Sequence, residues 1–232
     1  VPYAHGLSSP VTVTNNAIYA GTTTKGILVA LNLDGSPKWT TQNSVPIDLA
    51  SLAPFSVGIV SGITEIDGKV IFGLNPTGDT GATAARRKGV GSIVAVKASD
   101  GSLIWQKFLA PDISAADKIA HPNALSAVGP GTFALSFGVS KKLGLLYIGT
   151  SQINEAPTAE FCSLITQPPY NLPSCDKTPN EDAIIALKLK DGSEAWKINT
   201  RDVLKFANNT PVGGDIWTSQ VLFNVLEPVD MD

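Results

Sequence analysis

Three segments of the chain repeat one pattern, and a repeat of this kind constrains the fold more than any other feature of a sequence. Each segment begins with an apolar run that contains an alanine, continues through Asp-Gly-Ser and ends at a tryptophan. The three segments are GILVALNLDGSPKW at residues 26–39, GSIVAVKASDGSLIW at 91–105 and DAIIALKLKDGSEAW at 182–196. We therefore expect the chain to be assembled from copies of one structural unit.

The repeated segment predicts two strands joined by a tight turn. Its apolar run is short and rich in Ile, Val and Leu, which is typical of a buried strand, and Asp-Gly is a hairpin signal. Two further candidate strands precede each segment, at residues 10–14 and 17–21, 57–66 and 69–73, and 133–140 and 145–149. Each unit is therefore predicted to be a four-stranded antiparallel sheet, which is the blade of a β-propeller when it is repeated radially.

The predicted fold class is all-β: three four-stranded blades and the start of a fourth, in one partial β-propeller domain at residues 1–232. The blades are expected at about residues 7–42, 57–109 and 133–200, and the further blade begins at 213–232. A propeller closes with roughly four to eight blades. The remaining blades are therefore expected from missing sequence, a second chain or a symmetry mate. We interpret Trp39, Trp105 and Trp196 as packing between neighbouring blades.

The long connections predict where the functional face lies. Alternate connections in an up-and-down sheet leave it on alternate faces, so the long segments at residues 40–56, 75–91, 106–132 and 150–181 are expected on one face. The Asp-Gly-Ser turns are expected on the other face. Long loops on a rigid scaffold commonly carry binding and catalytic residues.

Composition excludes two classes of partner. The formal net charge of -3 argues against nucleic acid, which selects basic surfaces. We find no apolar run of about 18 residues, so no membrane span is expected. Val1 opens directly into sequence that looks folded, so any signal peptide is expected to have been removed already.

The chain has 2 cysteines, Cys162 and Cys175, within its longest loop. Their proximity predicts a local disulfide, which favours an oxidising compartment and hence a secreted or periplasmic protein. The alternative is two free thiols in a cytosolic protein.

The stretch from residue 145 to residue 196 resembles a known family. Residues 147–152 are YIGTSQ, the two cysteines follow, and the third repeat segment comes next. Downstream, Asp215-Ile216-Trp217 resembles a D-x-W element, and EPVDMD at 227–232 resembles a G-P-x-x-D-x-D element. In this order the elements resemble the quinoprotein propellers, in particular their polyvinyl-alcohol-dehydrogenase-like branch. The resemblance covers essentially the whole chain, although the first 60 residues match only in blade pattern.

This resemblance implies an eight-bladed ring that oxidises an alcohol with pyrroloquinoline quinone and Ca²⁺. Gln152 stands where catalytic members have an asparagine that serves the cofactor metal, so it is the candidate cofactor contact and metal ligand. Asp215 is the candidate catalytic carboxylate and a second metal ligand, and Trp217 is a candidate cofactor contact. The expected partner is a small-molecule alcohol or a carbohydrate.

Two charged clusters have a simpler interpretation beside the functional one. Arg86 and Arg87 are candidate contacts for the carboxylates of the quinone or of another anion, but a solvated basic turn explains them as well. Asp112, Asp117 and His121 are clustered in one loop and are interpreted as solvated polar residues.

The sequence also departs from the catalytic members of the family. Those members carry adjacent cysteines just before the second repeat, where this chain has AARRKG at residues 84–89. Gln152 is one methylene longer than asparagine, and Thr218 stands where many relatives have a carboxylate. The alternative function is therefore a non-catalytic secreted propeller that binds carbohydrate or protein, and the sequence leaves open whether the protein is an enzyme.

Overall fold

The computed structural model describes residues 9–22, 26–41, 57–76, 91–111, 113–124, 137–150, 158–175, 180 and 183–199. The first sheet contains β1 (Thr12–Val13), β2 (Ile18–Gly21), β3 (Leu28–Leu31) and β4 (Pro37–Thr40). The second contains β5 (Val57–Gly58), β6 (Ile63–Ile66), β7 (Lys69–Pro76), β8 (Ser92–Lys97) and β9 (Leu103–Phe108). The third contains β10 (Gly138–Ser140), β11 (Leu145–Gly149), β12 (Ala183–Lys188) and β13 (Glu194–Asn199). Two short helices, α1 (Ala115–Ala120) and α2 (Ala159–Ile165), lie in the connections.

The three sheets are copies of one antiparallel unit, as the repeat predicts. The repeated alanine lies opposite the repeated tryptophan in each sheet, in the pairs Ala30–Trp39, Ala95–Trp105 and Ala186–Trp196. Immediately after each alanine the pairing register shifts. Gly21, Gly73 and Gly149 also occupy one equivalent register position. The fold class is therefore a partial, all-β propeller of three blades over the described residues.

The Asp-Gly-Ser turns close the last hairpin of each blade in one way. In each turn the aspartate Oδ1 accepts a hydrogen bond from the serine amide, at 2.9 Å for Ser36, 2.8 Å for Ser102 and 2.9 Å for Ser193. The glycine between them has a positive φ, +83° at Gly35 and +70° at Gly192, which a residue with a Cβ rarely adopts. The sequence Asp-Gly-Ser therefore fixes the turn chemically.

The prediction of one continuous first strand at residues 57–66 is wrong. β5 and β6 both pair with β7, but residues 59–62 between them belong to neither strand. Ile59 instead donates its amide to the Thr22 carbonyl of the first blade (3.0 Å), and its side chain packs where a Cβ on Gly21 would lie. Burial of Ile59 between blades interrupts the strand. The first strand of the first blade is also shorter than the predicted residues 10–14, because it spans only Thr12–Val13.

Neighbouring blades pack face to face through two apolar clusters. The first and second blades share the cluster that contains Tyr19, Leu28, Phe72 and Val94. The cluster between the second and third blades is built in the same way, from Ile71, Ile93, Trp105, Leu146 and Ile185 among others. The blades therefore follow one another in sequence order and in space.

Each interface between blades is also held by a contact that we call the tryptophan clasp. Trp39 donates its Nε1 hydrogen to the carbonyl of Ala98 in the next blade (3.0 Å), and Trp105 donates to the carbonyl of Leu189 (3.2 Å). The indole ring lies directly on the turn glycine of that blade: a Cβ on Gly101 or Gly192 would come within 2.6 or 2.5 Å of the ring. Trp39 and Trp105 therefore pack between blades, as predicted.

The two outermost blades lack one half of this contact among the described residues. Trp196 of the third blade is 45% exposed, and a Cβ on Gly35 of the first blade would meet nothing within 4 Å. The predicted further blade at 213–232 lies outside the described residues, and the predicted blade boundaries stay predictions. Helices α1 and α2 are both short, and no helix within the described ranges is long and apolar enough to cross a membrane.

Candidate functional site

The long connections leave the blades at the ends opposite the Asp-Gly-Ser turns. β7 ends at Pro76 and β8 begins at Ser92, while β11 ends at Gly149 and β12 begins at Ala183. In an antiparallel hairpin these ends lie together, at the far end of the sheet from the next turn. The stems of the long loops are therefore on one face, which we call the loop face.

A buried threonine fixes the stem of the longest loop. Thr150 follows β11, donates its amide to the Ala183 carbonyl (2.9 Å) and accepts the Ala183 amide on its hydroxyl oxygen (3.0 Å). Thr22 makes the same two bonds to Ile27 in the first blade, at 3.0 Å each. The first and third blades therefore share this stem geometry, although the loop that it carries is far longer in the third blade.

Asn180 ties the end of that loop to the second blade. Its Nδ2 donates to the Leu109 carbonyl (2.5 Å), its Oδ1 accepts from Lys197 Nζ (2.9 Å) and its own carbonyl accepts from the Thr150 hydroxyl. The residue has φ of +58°, a conformation that asparagine tolerates better than most residues. The side chain of Asn180 therefore joins β13 to the residue that follows β9, and its backbone carbonyl holds the loop stem.

Two loops combine on this face into a small body with its own core, which we call the helical module. It consists of residues 113–124, which contain α1, and residues 158–175, which contain α2. Ile113, Ala124, Phe161 and Ile165 are buried against one another there. None of the residues in this cluster belongs to a strand, so the module is an addition to the blade scaffold.

A hydrogen-bond network around Asp117 joins the two halves of the module. Ser114 caps α1: its hydroxyl accepts the Asp117 amide (3.1 Å) and donates to Asp117 Oδ2 (2.7 Å). Tyr170 of the other half donates to the same Oδ2 (2.5 Å) and accepts the Ser114 amide (2.6 Å). The Tyr170 hydroxyl, then the Ser114 hydroxyl, and to a smaller extent His121, hold the pKa of Asp117 below its usual value of 3.8. Asp117 is thus hydrogen-bonded, in contrast to the interpretation of a merely solvated residue.

A disulfide and a contact between His121 and Glu160 complete the module. Cys162 on α2 is bonded to Cys175, with an S–S distance of 2.07 Å and Cα atoms 5.2 Å apart, so the predicted disulfide is confirmed. His121 Nδ1 lies 3.2 Å from Glu160 Oε1 across the two halves. Glu160 is in the first turn of α2, where a negative charge is favourable.

The predicted catalytic and cofactor residues lie outside the described residues. These are Gln152, Asp215, Arg86, Arg87 and Trp217. What the structure does place is the stem before Gln152, at Thr150, and the start of β8 after the two arginines. Across the described ranges no group of three or more His, Cys, Asp or Glu side chains is arranged to hold a metal ion.

Sequence reasoning missed the helical module. Its helices have 6 and 7 residues, too few for a helical period to stand out. A weaker signal was available, because Ser114 and Asp117 have the spacing of an N-terminal capping box. Thr158 likewise caps α2 by accepting the Phe161 amide (3.2 Å).

Comparisons with known proteins identify the fold. No protein-family model matches the sequence and no curated protein matches it. Among solved structures, the chain is similar to the quinohemoprotein alcohol dehydrogenase ADHIIG from Pseudomonas putida HK5, with 22% identity and a TM-score of 0.50. It is also similar to the quinohemoprotein alcohol dehydrogenase from Comamonas testosteroni (19%, 0.53) and to a europium-containing methanol dehydrogenase (16%, 0.50).

These matches cover 82% of this chain but only a part of each solved structure. The chain spans 26% of the two quinohemoprotein dehydrogenases and 31% of the methanol dehydrogenase. At these identities the likeness establishes the fold, and it agrees with the resemblance seen in the sequence. The described part of this chain therefore has the blade fold of the quinoprotein alcohol dehydrogenases.

Proposed function

We propose that this chain is part of a propeller that oxidises an alcohol with pyrroloquinoline quinone and a bound Ca²⁺. The observation that carries the proposal is the likeness of its three blades to two quinohemoprotein alcohol dehydrogenases and a methanol dehydrogenase. The sequence elements around Gln152 and Asp215 add to it.

The donor atoms of the candidate site fit a hard cation. Gln152 would supply an amide oxygen and Asp215 a carboxylate, and Ca²⁺ takes carbonyl and carboxylate oxygens. When bound, the quinone would accept the hydride and the metal would polarise its carbonyl. Asp215 would take the hydroxyl proton of the alcohol as a general base, and Arg86, Arg87 and Trp217 would contact the cofactor.

The disulfide supports a proposal for the location of the protein. A disulfide such as Cys162–Cys175 forms and persists in an oxidising compartment. A secreted or periplasmic protein is therefore the proposed localisation, and a small-molecule alcohol or carbohydrate is the proposed partner.

Reconstitution tests the proposed function. The purified protein is incubated with pyrroloquinoline quinone and Ca²⁺, and quinone binding and dye reduction with primary alcohols are measured separately. We expect binding that needs Ca²⁺, and dye reduction that falls at least about 100-fold in Asp215→Asn, the scale of a general base. Asp191→Asn, at an Asp-Gly-Ser turn on the opposite face, is the matched control. Failure to bind the quinone with and without Ca²⁺ would contradict the proposal.

One observation favours the second candidate, a non-catalytic propeller that binds carbohydrate or protein. The chain has 2 cysteines and both form the Cys162–Cys175 disulfide, so residues 84–89 carry no adjacent cysteines. A panel of immobilised glycans, probed with the protein in the absence of quinone, tests this function. Glycan binding together with no quinone binding would favour the second candidate over the first.

A further inference from the structure

The exposed face of the third blade carries a pair of hydroxyl groups whose counterparts in the first blade hold a carboxylate. In the first blade Thr14 and Tyr19 both donate to Glu65 Oε2 of the second blade, at 2.7 and 3.0 Å. The Tyr19 ring is also tilted against Trp39 at 5.8 Å and 44°. Glu65 thus joins two blades through hydroxyls on the face that carries the tryptophan.

The same pair recurs at the same register in the third blade. Tyr147 lies opposite Ala186, as Tyr19 lies opposite Ala30. It meets Trp196 at 5.9 Å and 43°, nearly the geometry of the first blade. Counting along the paired strands, Ser140 occupies the position of Thr14.

The Ser140 hydroxyl oxygen also accepts a backbone hydrogen bond, as the Thr14 oxygen does. Its oxygen accepts the Leu143 amide of the following turn (3.2 Å), as the Thr14 oxygen accepts the Asn16 amide (3.2 Å). Among the described residues, neither the Ser140 nor the Tyr147 hydroxyl has an acceptor for its hydrogen. Both hydrogens are therefore available to a group that covers this face.

At the interface between the second and third blades, the positions that correspond to Thr14, Tyr19 and Glu65 all carry different residues. There the counterparts of Thr14 and Tyr19 are Ile66 and Ile71, and the counterpart of Glu65 is Val139. Val139 packs in the apolar cluster that contains both isoleucines. One interface therefore has two hydroxyls with a carboxylate, and the other has three apolar side chains.

We propose that the Trp196 face of the third blade binds a further four-stranded unit whose first strand presents a glutamate or aspartate to Ser140 and Tyr147. The carboxylate would accept both hydroxyl hydrogens, as Glu65 does at the established interface. Trp196 would at the same time lie on a turn glycine of that unit. The proposal does not depend on any catalytic activity.

An unaltered second copy of this chain is a poor occupant. If the first blade of a second copy covered the face, the residue at the Glu65 position would be Val13. Its apolar side chain would leave both hydroxyls without an acceptor, and an unsatisfied buried hydroxyl is unfavourable. The occupant is therefore a unit of the same architecture with a carboxylate at this register.

A substitution at Val13 turns the second copy into a probe. Val13 is 66% exposed, so Val13→Glu is compatible with the fold and places a carboxylate at the required position on the first blade. Self-association is measured by sedimentation for the wild type, for Val13→Glu and for the neutral isostere Val13→Gln. We expect Val13→Glu to associate about 10-fold more tightly than Val13→Gln, the scale of a charge-assisted hydrogen bond.

A second substitution locates the receiving site. Tyr147→Phe removes one of the two hydroxyl donors and leaves that of Ser140, so it should reduce the difference between Val13→Glu and Val13→Gln. Equal association of Val13→Glu and Val13→Gln would overturn the proposal, and so would no detectable association of either at millimolar concentration. An undiminished difference in Tyr147→Phe would also overturn it, because the carboxylate would then bind elsewhere.

Discussion

The tryptophan at the end of a repeat contacts the blade that follows it, as Trp39 and Trp105 show. Trp39 and Trp105 each combine a hydrogen bond to a backbone carbonyl with an indole ring laid on a glycine. The glycine is required twice, once for its positive φ and once because a Cβ would overlap the ring. This double requirement explains why the sequence repeats Asp-Gly-Ser and tryptophan together.

Alanine substitution of two turn glycines separates these requirements. Gly35→Ala introduces a Cβ at positive φ into open space and should cost about 1 to 2 kcal/mol. Gly192→Ala has the same backbone penalty and also overlaps the Trp105 ring at 2.5 Å. It should cost a further 1 to 3 kcal/mol or so, typical of overpacking. Urea unfolding measures both, and equal losses would show that the ring contact is unimportant.

The tryptophans themselves offer a second matched pair. Trp105→Ala removes a buried ring and a hydrogen bond and should cost about 3 to 5 kcal/mol of the free energy of unfolding. Trp196→Ala removes an equivalent but half-exposed ring and should cost clearly less. If the two losses prove equal, part of the chain outside the described residues covers Trp196.

The buried hydroxyl of Tyr19 makes a prediction about alkaline pH. Burial first, and the hydrogen bond to Glu65 second, raise the pKa of Tyr19 well above its usual value of 10.0. Above pH 10 the unfolded chain therefore loses this proton while the folded chain keeps it, so the free energy of unfolding falls as pH rises. Tyr19→Phe should lower stability at pH 8 but show a shallower decline above pH 10. Parallel curves for the two proteins would contradict this assignment.

At the level of elements, the scaffold and its additions have different sources of stability. The strands are stabilised by pairing within each blade and by burial of their apolar side chains between blades. The helical module instead depends on a small apolar cluster, a hydrogen-bond network on Asp117 and one disulfide. Such a small core gains more from a covalent link than a blade would.

Removal of the disulfide should therefore act locally. Cys162→Ser with Cys175→Ser, or reduction, should lower the stability of the module by about 3 kcal/mol, as loop-closure entropy predicts. Proteolysis should then cut first within residues 158–175, while the blade strands keep their protection from amide exchange. Tyr170→Phe, which removes the hydrogen bond to Asp117 and leaves the disulfide, is the milder comparison. Simultaneous loss of module and blades would show that the two are not separable.

These elements also show how far the sequence predicts the fold. The strands, the turns and the Cys162–Cys175 disulfide follow from local patterns, because each is specified by residues close together in the chain. The break between β5 and β6 was missed because its cause, the packing of Ile59 on Gly21, lies in another blade. The bond from Tyr19 to Glu65 was missed for the same reason, since 46 positions separate them.

The candidate site was less predictable than the fold. Gln152 and Asp215 were chosen from a family resemblance, and the structure describes the loop stems without describing these residues. Asn180 was not chosen, although it joins two blades and the loop stem, because no local pattern marks an asparagine as a long-range link. The two helices were not predicted, because each is too short to produce a helical period in the sequence of its loop.

At the level of the whole molecule, the three blades form a series whose two ends differ within the described part of the chain. The third blade ends in a half-exposed tryptophan with a tyrosine and a serine beside it, and the first blade ends in an open glycine turn. The proposed further unit would cover the first of these ends.

The direction of the tryptophan clasp also sets an order for folding during synthesis. Trp39 finds its carbonyl 59 positions later and Trp105 finds its carbonyl 84 positions later. At the usual rate of translation, roughly 3 to 17 s pass between synthesis of each tryptophan and synthesis of the residue whose carbonyl it binds. A nascent chain therefore always exposes one unfinished blade at its growing end, and a chaperone that recognises aromatic surface would follow that single site from blade to blade.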